Sequence, residues 1–250
     1  MMLLQQFLLA LSFFTRIPLP KTWNAGDATL AQSAWAFPLT GAIIGGFAAA
    51  TYLALLSLGL NHSIAAWISL GFLVIFTGGL HEDGLADMAD GLAHGRDREQ
   101  KLAIMRDSRI GSYGVLALVI LLAIRANAIA DFGSEMHTLW VFITAGACSR
   151  ASLVVLMYFF CNARIDGLST QAGKPTYTQM LVALSLGVST LFLAGSLPVI
   201  LIGIFIMIMV GVMIGRLALK HFGGITGDVL GALQQVSETL LLVLFSTAFL

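Results

Sequence analysis

Long apolar runs fill most of the chain and predict its secondary structure. Runs long enough to cross a bilayer as helices occur at about 35–60, 62–80, 111–130, 137–161, 179–196, 198–219 and 229–250. Gly195-Ser-Leu-Pro198 divides the fifth run from the sixth, because glycine and proline interrupt helices. The opening run, Leu3–Phe14, has only about twelve residues, which favours an interfacial or half-inserted helix. The pattern therefore predicts an all-α membrane helix bundle of about seven transmembrane helices plus this short helix.

Composition supports a membrane protein. The 250 residues are 58% hydrophobic and 10% charged, with a mean hydropathy of +0.91, whereas a soluble domain carries about 25% charged residues. The formal net charge is zero, which gives no electrostatic basis for a nucleic-acid partner.

The basic residues lie on one side of the predicted bundle. All but two of the 13 Lys and Arg residues fall in segments that share this side, and the positive-inside rule makes it cytoplasmic. The polar motifs share it too. We therefore expect one transmembrane domain, 1–250, with cytoplasmic active-site loops at about 15–34, 81–110, 162–178 and 220–228.

Three aspartates follow the second predicted span. The segment Thr77-Gly-Gly-Leu-His-Glu-Asp-Gly-Leu-Ala-Asp-Met-Ala-Asp-Gly91 places Asp83, Asp87 and Asp90 at i, i+4 and i+7. At roughly 100° per residue they share one helix face, where like charges repel by about a few tenths of a kcal/mol per pair. Carboxylate oxygens suit Mg²⁺ or a similar hard ion. A metal site is the favoured interpretation, and a solvated acidic helix end is the alternative.

Two polar residues precede these aspartates. Glu82 lies about 100° from their shared face, so it is a ligand only if the helix begins after it. His81 is either an interfacial polar anchor or a catalytic group.

A second polar motif is Ile104-Met-Arg-Asp-Ser-Arg-Ile-Gly-Ser-Tyr-Gly114. Arg106 and Arg109 flank Asp107 and Ser108 there, and guanidinium groups match phosphate oxygens bidentately. A basic cluster that only sets topology is the alternative. Because topology would not require an acidic residue between the arginines, the motif favours phosphate binding.

Two further segments contribute candidates. In Gly223-Gly-Ile-Thr-Gly-Asp228, the glycines and Thr226 could form a backbone anion nest with Gly227, and Asp228 could complete a metal shell. A plain turn with Asp228 as the N-cap of the last helix is the alternative. Arg16, in Thr15-Arg-Ile-Pro-Leu-Pro20, binds either a phosphate or the lipid headgroups.

Three charged residues fall inside predicted spans. Arg125, Arg150 and Glu238 are costly there, at about 2.5–3.5 kcal/mol each on insertion scales, so they face the bundle interior. Two interpretations stay open: a mid-membrane ion pair, or contact with substrate from a cavity open to the cytoplasm.

These motifs together resemble the cobalamin synthase family, the membrane-bound adenosylcobinamide-GDP ribazoletransferases. The matching segments occur in the family's order over nearly the whole chain, and they are Thr15-Arg-Ile-Pro18, 77–91, 104–111 and 223–228. One departure is Gln234-Gln235, where the family pattern leads us to expect Asn or an acidic residue.

The resemblance implies a transferase that joins adenosylcobinamide-GDP to α-ribazole or its 5′-phosphate, giving GMP and adenosylcobalamin or its 5′-phosphate. It also implies the bacterial inner membrane as location and other late cobalamin-assembly enzymes as partners. The pyrophosphate would be neutralised by Mg²⁺ on Asp83, Asp87 and Asp90, with Asp228. Its oxygens would be held by the motif around Arg106, Ser108 and Arg109. Asp107 or Asp90 would accept the nucleophile's proton.

Other membrane proteins share parts of this chemistry. The CDP-alcohol phosphotransferases carry Ala-Arg after their Asp-Gly, whereas Asp83-Gly84 is followed here by Leu-Ala-Asp. A prenyltransferase needs a second Asp-rich motif. A cation transporter predicts an ion site near the bilayer midplane and often an internal repeat, and no repeat is visible.

Overall fold

The computed structural model describes residues 2–18, 28–133, 136–164, 167 and 172–248, and its regular elements are helices. A short 3₁₀ turn, Ala34–Ala36, joins the second helix to the third. In chain order the helices are α1 (Met2–Phe14), α2 (Leu30–Ser33), α3 (Phe37–Ser57), α4 (His62–Thr77), α5 (Leu80–His94), α6 (Arg98–Ile104), α7 (Ser112–Ala130), α8 (Met136–Phe159), α9 (Tyr177–Ala194), α10 (Leu197–Phe222) and α11 (Gly227–Ala248). The all-α prediction is confirmed.

The helices agree with the predicted spans. Within the described ranges, six helices are long and apolar enough to cross a membrane: α3 with its α2 extension, and α7 to α11. A seventh span results if α4 and α5 are counted as one broken span. The chain is thus a multi-pass membrane protein. Helix α1 is apolar but has only 13 residues, in keeping with the predicted short first helix.

A sharp bend separates α4 from α5. The two helices meet at 93°, and the two residues between them, Gly78 and Gly79, have φ angles of 72° and 68°. This left-handed conformation favours glycine, which has no Cβ to clash. The segment after α1 is held at the same place, since the backbone N–H of Arg16 donates to the carbonyl of Phe76 at 2.8 Å. The bend therefore directs the polar helix α5 away from the apolar helix α4.

The predicted loops are more ordered than the sequence suggested. The segment 81–110 contains α5 and α6, so much of it is helical rather than loop. The other two long segments, 15–34 and 162–178, lie partly outside the described residues. The aspartates of this segment therefore lie on a helix, whereas Arg106, Asp107, Ser108 and Arg109 lie in the loop between α6 and α7.

Helix α8 forms the centre of the bundle, and two close helix contacts set the framework of the site. Gly41 of α3 faces Gly146 of α8, and a Cβ on either residue would overlap the backbone of the other. Small residues permit such close packing of membrane helices. Gly84 of α5 faces Gly231 of α11 in the same way: a Cβ on Gly84 would lie 2.9 Å from the Cα of Asp228. The second contact brings the acidic helix α5 against the start of α11.

The charged residues inside the spans form an ion-pair network. The Nη1 atom of Arg125 lies 3.7 Å from Oε1 of Glu238, and Nη1 of Arg150 donates to Oε2 of the same carboxylate. All three side chains are buried. Of the two interpretations left open, the structure therefore favours the ion pair over a substrate contact.

The two glutamines of α11 belong to this network. Both are buried, and Nε2 of Gln235 donates to Oε1 of Glu82 at 2.9 Å, while Nε2 of Gln234 donates to Glu238. An amide supplies donors that an acidic residue at these positions would lack. Because α5 begins at Leu80, Glu82 lies within the helix and about 100° from the face of the aspartates. Its side chain therefore contacts this network instead of the aspartates, as predicted.

Candidate functional site

An acidic cleft forms where α5 meets the start of α11. Asp83 and Asp87 project from α5, and Asp228 lies in the first turn of α11. The negative charges of Asp83, Asp228 and Asp90 all act on Asp87, while Arg164 is the cation that opposes them. Like charges at helix-neighbour distances repel. The cleft is therefore a place where a cation would be stabilised.

Asp228 is not the residue that caps α11. The hydroxyl of Thr226 accepts a hydrogen bond from the backbone N–H of Val229 at 3.2 Å, as an N-cap residue does. The same hydroxyl lies 3.2 Å from Oδ2 of Asp228, to which it donates. The alternative in which Asp228 is itself the N-cap is wrong. Thr226 is buried in this capping role, and Gly227 lines a neighbouring cavity.

Asp90 shares the helix face of the other two aspartates but has different partners. Its Oδ2 atom accepts the backbone N–H of Gly111 at 2.7 Å, and Oδ1 accepts that of Gly114 at 2.9 Å. Nδ1 of His94 lies 3.7 Å away. Asp90 is buried and satisfies N–H groups at the start of α7, which no intrahelical carbonyl can reach. Asp90 thus links α5 to the start of α7 by hydrogen bonds.

The loop of the second polar motif lies at the surface, beside the cleft. Arg109 is 87% exposed and binds Asp107 through Nη2 at 2.7 Å and Nε at 3.1 Å. Hydrogen bonds from the side chain and backbone of Arg109 lower the pKa of Asp107 to about 2. A carboxyl this acidic is a weak proton acceptor near neutral pH. Ser108 and Arg106 are also exposed, and Ile110 lines the edge of the cleft.

Arg16 and Arg164 are two cations beside the aspartates. Arg16 lines an open cleft of about 730 Å³ together with Gly78, Gly79 and Asp83. Nη1 of Arg164 lies 4.0 Å from Oδ2 of Asp228. Arg16 thus faces the same open space as Asp83, and Arg164 lies next to Asp228. Guanidinium groups beside carboxylates suit a metal-bound phosphate.

The sequence alone marks Arg164 only as a basic residue of the 162–178 loop. Backbone pairing places it: the N–H of Ala163 donates to the carbonyl of Ile225 at 2.8 Å, and the N–H of Ile225 donates to the carbonyl of Cys161 at 2.9 Å. Nη2 of Arg164 also donates to the carbonyl of Leu102 at 2.7 Å. No local motif marks this residue, so only the contact between two distant loops could have identified it.

The cleft residues fit a hard metal ion by chemical type. The side chains of Asp83 and Asp87 accept no hydrogen bond among the described residues, whereas Asp228 accepts one from Thr226. Carboxylate oxygens are the ligands that Mg²⁺ prefers. Across the described ranges, however, no three Asp, Glu, His or Cys side chains already converge as metal ligands. The Mg²⁺ site stays a prediction, and Asp90, with both oxygens accepting backbone N–H groups, is its least available ligand.

Together, the fold and the cleft define a polytopic membrane protein with a carboxylate-lined site at one end of its helix bundle. The family model described as cobalamin-5-phosphate synthase matches residues 6–246. The chain belongs to that family, which confirms the resemblance seen in its motifs.

Curated relatives cover nearly the whole chain. A protein of Bradyrhizobium diazoefficiens named adenosylcobinamide-GDP ribazoletransferase is 39% identical over 94% of this chain and 90% of its own length. A protein of the same name from Mesorhizobium japonicum is 40% identical over 98% of this chain and 94% of its own length. Another, from Brucella ovis, is 34% identical over 94% of this chain and 93% of its own length. No solved structure matches the chain.

Proposed function

We propose that the protein joins adenosylcobinamide-GDP to α-ribazole or its 5′-phosphate, with release of GMP. The observation that carries this proposal is the family match over residues 6–246, together with relatives of that name. In this reaction a ribose hydroxyl oxygen forms a bond to the corrinoid-linked phosphorus. The bond from that phosphorus to the oxygen of GMP breaks, and the hydroxyl proton leaves to the aqueous cleft. The product is adenosylcobalamin or its 5′-phosphate.

The acidic cleft supports this chemistry if a cation is bound there. A pyrophosphate is anionic, so carboxylates alone would repel it. We propose that Asp83, Asp87 and Asp228 hold Mg²⁺, which would neutralise charge on the pyrophosphate and on the departing GMP. Asp90 then acts mainly by fixing α5 against α7 through its bonds to Gly111 and Gly114.

The arginines of the cleft are proposed to hold phosphate oxygens. Arg16 lines the same cleft as Asp83, and Arg164 lies beside Asp228, and guanidinium groups bind such oxygens through paired N–H donors. Arg109 is engaged with Asp107 at the surface. We therefore assign the main phosphate contacts to Arg16 and Arg164, with the loop of Arg106 and Ser108 contacting the outer part of the substrate.

The basic loops support a cytoplasmic orientation of the site in a bacterial inner membrane. They meet at the end of the bundle that holds the cleft: the guanidinium of Arg98 donates to the carbonyls of Phe222 and Ala163. Basic segments face the cytoplasm. A cysteine introduced at position 97, in a Cys161→Ser background, should react with an impermeant thiol reagent only from the cytoplasmic side. Labelling from the outside would contradict this orientation.

The proposed activity has a direct assay. Purified protein in lipid or detergent is given Mg²⁺, adenosylcobinamide-GDP and α-ribazole, and the release of GMP is measured alongside formation of adenosylcobalamin. We expect GMP release that requires α-ribazole. A folded protein that releases no GMP, or releases it equally without α-ribazole, would overturn the proposal.

A further inference from the structure

Helix α10 is the most exposed of the helices that can cross a membrane. Among the six described helices of this kind, it has the smallest buried share of its most apolar 18 residues, 22%. A groove of about 590 Å³ runs along the exposed face of its second half. The lining is apolar along most of the groove and basic at one end, and it includes Ile208, Met209, Val212, Met213, Arg216 and Lys220. The helix therefore presents a surface that changes from apolar to basic.

The groove follows from the spacing of its residues along the helix. Ile208, Val212, Arg216 and Lys220 are each four residues apart and form one row, while Met213 belongs to the adjacent row. Rows of residues four apart form ridges on a helix, with grooves between them. The apolar members of these rows are between 45% and 60% exposed. No other described helix therefore covers the space between the rows.

The length of the groove matches one leaflet of a bilayer. From Ile208 to Lys220 the helix rises about 18 Å, at about 1.5 Å per residue. The hydrocarbon layer of one leaflet is about 15 Å thick, half of a core of about 30 Å. With Lys220 at the level of the lipid headgroups, Ile208 therefore lies near the middle of the bilayer. An acyl chain can thus follow the apolar part of the groove while its headgroup reaches the basic end.

The basic end of the groove is not balanced by acidic residues. Arg216 and Lys220 are exposed, and among the described residues neither pairs with a carboxylate. The charges that act on the next residue, His221, are those of Lys101 and Lys220, which are also positive. The dipole of α10 does not account for Arg216, because its effect is confined to the last turn and the helix ends six residues later, at Phe222. The basic end therefore favours an anionic group from outside the chain.

We propose that this groove is a binding site for an anionic phospholipid of the leaflet next to the basic loops. The lipid phosphate accepts hydrogen bonds from Arg216 and Lys220. One acyl chain lies between the two apolar rows, where the flexible side chain of Met213 adapts to it. A zwitterionic lipid is a weaker ligand, because its headgroup amine places a further positive charge near the two cations.

A second copy of the chain suits this face less well than a lipid. Two copies in one membrane have the same orientation, so a symmetric pair of α10 helices would bring the two basic ends together. Arg216 and Lys220 of both copies would then meet without a described carboxylate between them, and like charges repel. A lipid phosphate supplies the missing negative charge.

Native mass spectrometry of the purified protein measures the lipid preference. The protein is titrated with phosphatidylglycerol or with phosphatidylcholine that has the same acyl chains. Each basic side chain near an anionic headgroup strengthens binding roughly fivefold, so we expect the wild type to bind phosphatidylglycerol about 25-fold more tightly. Arg216→Gln/Lys220→Gln should reduce this ratio to about two. The control Arg96→Gln/Lys174→Gln removes the same charge from exposed residues that do not line the groove, and it should keep the ratio within about twofold of the wild type.

Three results of this titration would overturn the proposal. One is equal affinity of the wild type for the two lipids. Another is an equal fall of the ratio in both double variants, because total charge and not the groove would then set the preference. The third is displacement of phosphatidylglycerol by glycerol 3-phosphate, which carries the phosphate but no acyl chain.

Photo-crosslinking tests whether the lipid lies in the groove. p-Benzoylphenylalanine replaces Val212 or, as a control, Ile202, in vesicles of one part phosphatidylglycerol to three parts phosphatidylcholine. The two residues are 45% and 48% exposed on the same helix, but only Val212 lines the groove. We expect phosphatidylglycerol adducts at position 212 to exceed the share of that lipid in the vesicle at least about twofold, and adducts at 202 to match it.

The adducts also distinguish the alternatives. Adducts that match the vesicle composition at both positions would overturn the proposal, and so would a cross-link between two copies of the chain at position 212. Neither experiment requires turnover. A protein that binds the lipid but releases no GMP would therefore refute only the proposed function.

Discussion

Asp90 and Asp83 lie on one face of α5, yet the structure predicts opposite consequences of replacing them. Asp90 is buried and accepts two backbone N–H groups from the start of α7, at 2.7 and 2.9 Å. Asp83 is exposed and lines the cleft. We expect Asp90→Ala to destabilise the fold, and Asp83→Ala to abolish activity in a protein of nearly normal stability.

The size of the Asp90 effect follows from its bonds. Hydrogen bonds to a charged acceptor contribute roughly 1.5–3 kcal/mol each, while the loss of a helix N-cap costs about 0.5–2 kcal/mol. Relief of repulsion with Asp87 returns only about a few tenths of a kcal/mol. The buried N–H of Gly114 would be left without its acceptor. We therefore expect Asp90→Ala to lower the free energy of unfolding by about 2–4 kcal/mol.

Unfolding in mixed detergent micelles, titrated with SDS and followed by tryptophan fluorescence, measures this difference. Asp83→Ala should stay within about 0.5 kcal/mol of the wild type, as exposed substitutions usually do. Asp97→Ala is a matched control, because Asp97 caps helix α6 by accepting the N–H of Gln100; its cost should be about 1 kcal/mol, a typical value for the loss of a helix N-cap. An Asp90→Ala protein as stable as the wild type would refute the tie between α5 and α7.

Four further substitutions test other parts of the structure. Gly84→Ala should separate α5 from α11 and reduce kcat at least tenfold, whereas Gly71→Ala, with no atom within 4 Å of the added Cβ, should not; equal GMP-release rates would contradict the close contact. Glu238→Gln leaves two buried arginines without their carboxylate and should cost about 3–5 kcal/mol in the same SDS titration; no loss would refute the ion-pair network. Asp107→Asn should leave the acid limb of the pH–kcat profile unchanged, because a carboxyl with a pKa of about 2 is already ionised across the assay range; a shifted limb would restore Asp107 as the base. Arg164→Ala should raise the KM of adenosylcobinamide-GDP about tenfold, as the loss of one charge-assisted contact would; an unchanged KM would remove Arg164 from the phosphate site.

Hydropathy and glycine placement made much of the fold predictable. Apolar runs fix where membrane helices form, and the paired glycines at 78–79 end α4 because their left-handed backbone favours residues without a Cβ. The shared face of Asp83, Asp87 and Asp90 followed from helical spacing alone. These features depend on short stretches of sequence, so a single chain was sufficient to find them.

Short stretches of sequence did not predict which partners the individual polar residues contact. Asp90 differs from Asp83 because α7 begins beside it, and spacing along α5 carries no information on α7. Arg164 reaches Asp228 through pairing of the segments around 162 and 225. Likewise, the sequence suggests an ion pair of Arg125 or Arg150 with Glu238 but leaves substrate contact equally open, and only the position of α11 shows Glu238 paired with both arginines. Each of these assignments depends on contacts between distant segments.

We propose that Asp83 and Asp87 hold the metal ion that transfer from adenosylcobinamide-GDP to α-ribazole requires. The most direct measurement is the rate of GMP release across a Mg²⁺ titration, compared among the wild type, Asp83→Ala, Asp87→Ala and the control Asp97→Ala. We predict saturable Mg²⁺ dependence for the wild type and the control, and loss of turnover in both cleft variants while they remain folded. Near-full rates in either cleft variant, or wild-type release that does not require a divalent metal, would contradict the metal role of these aspartates.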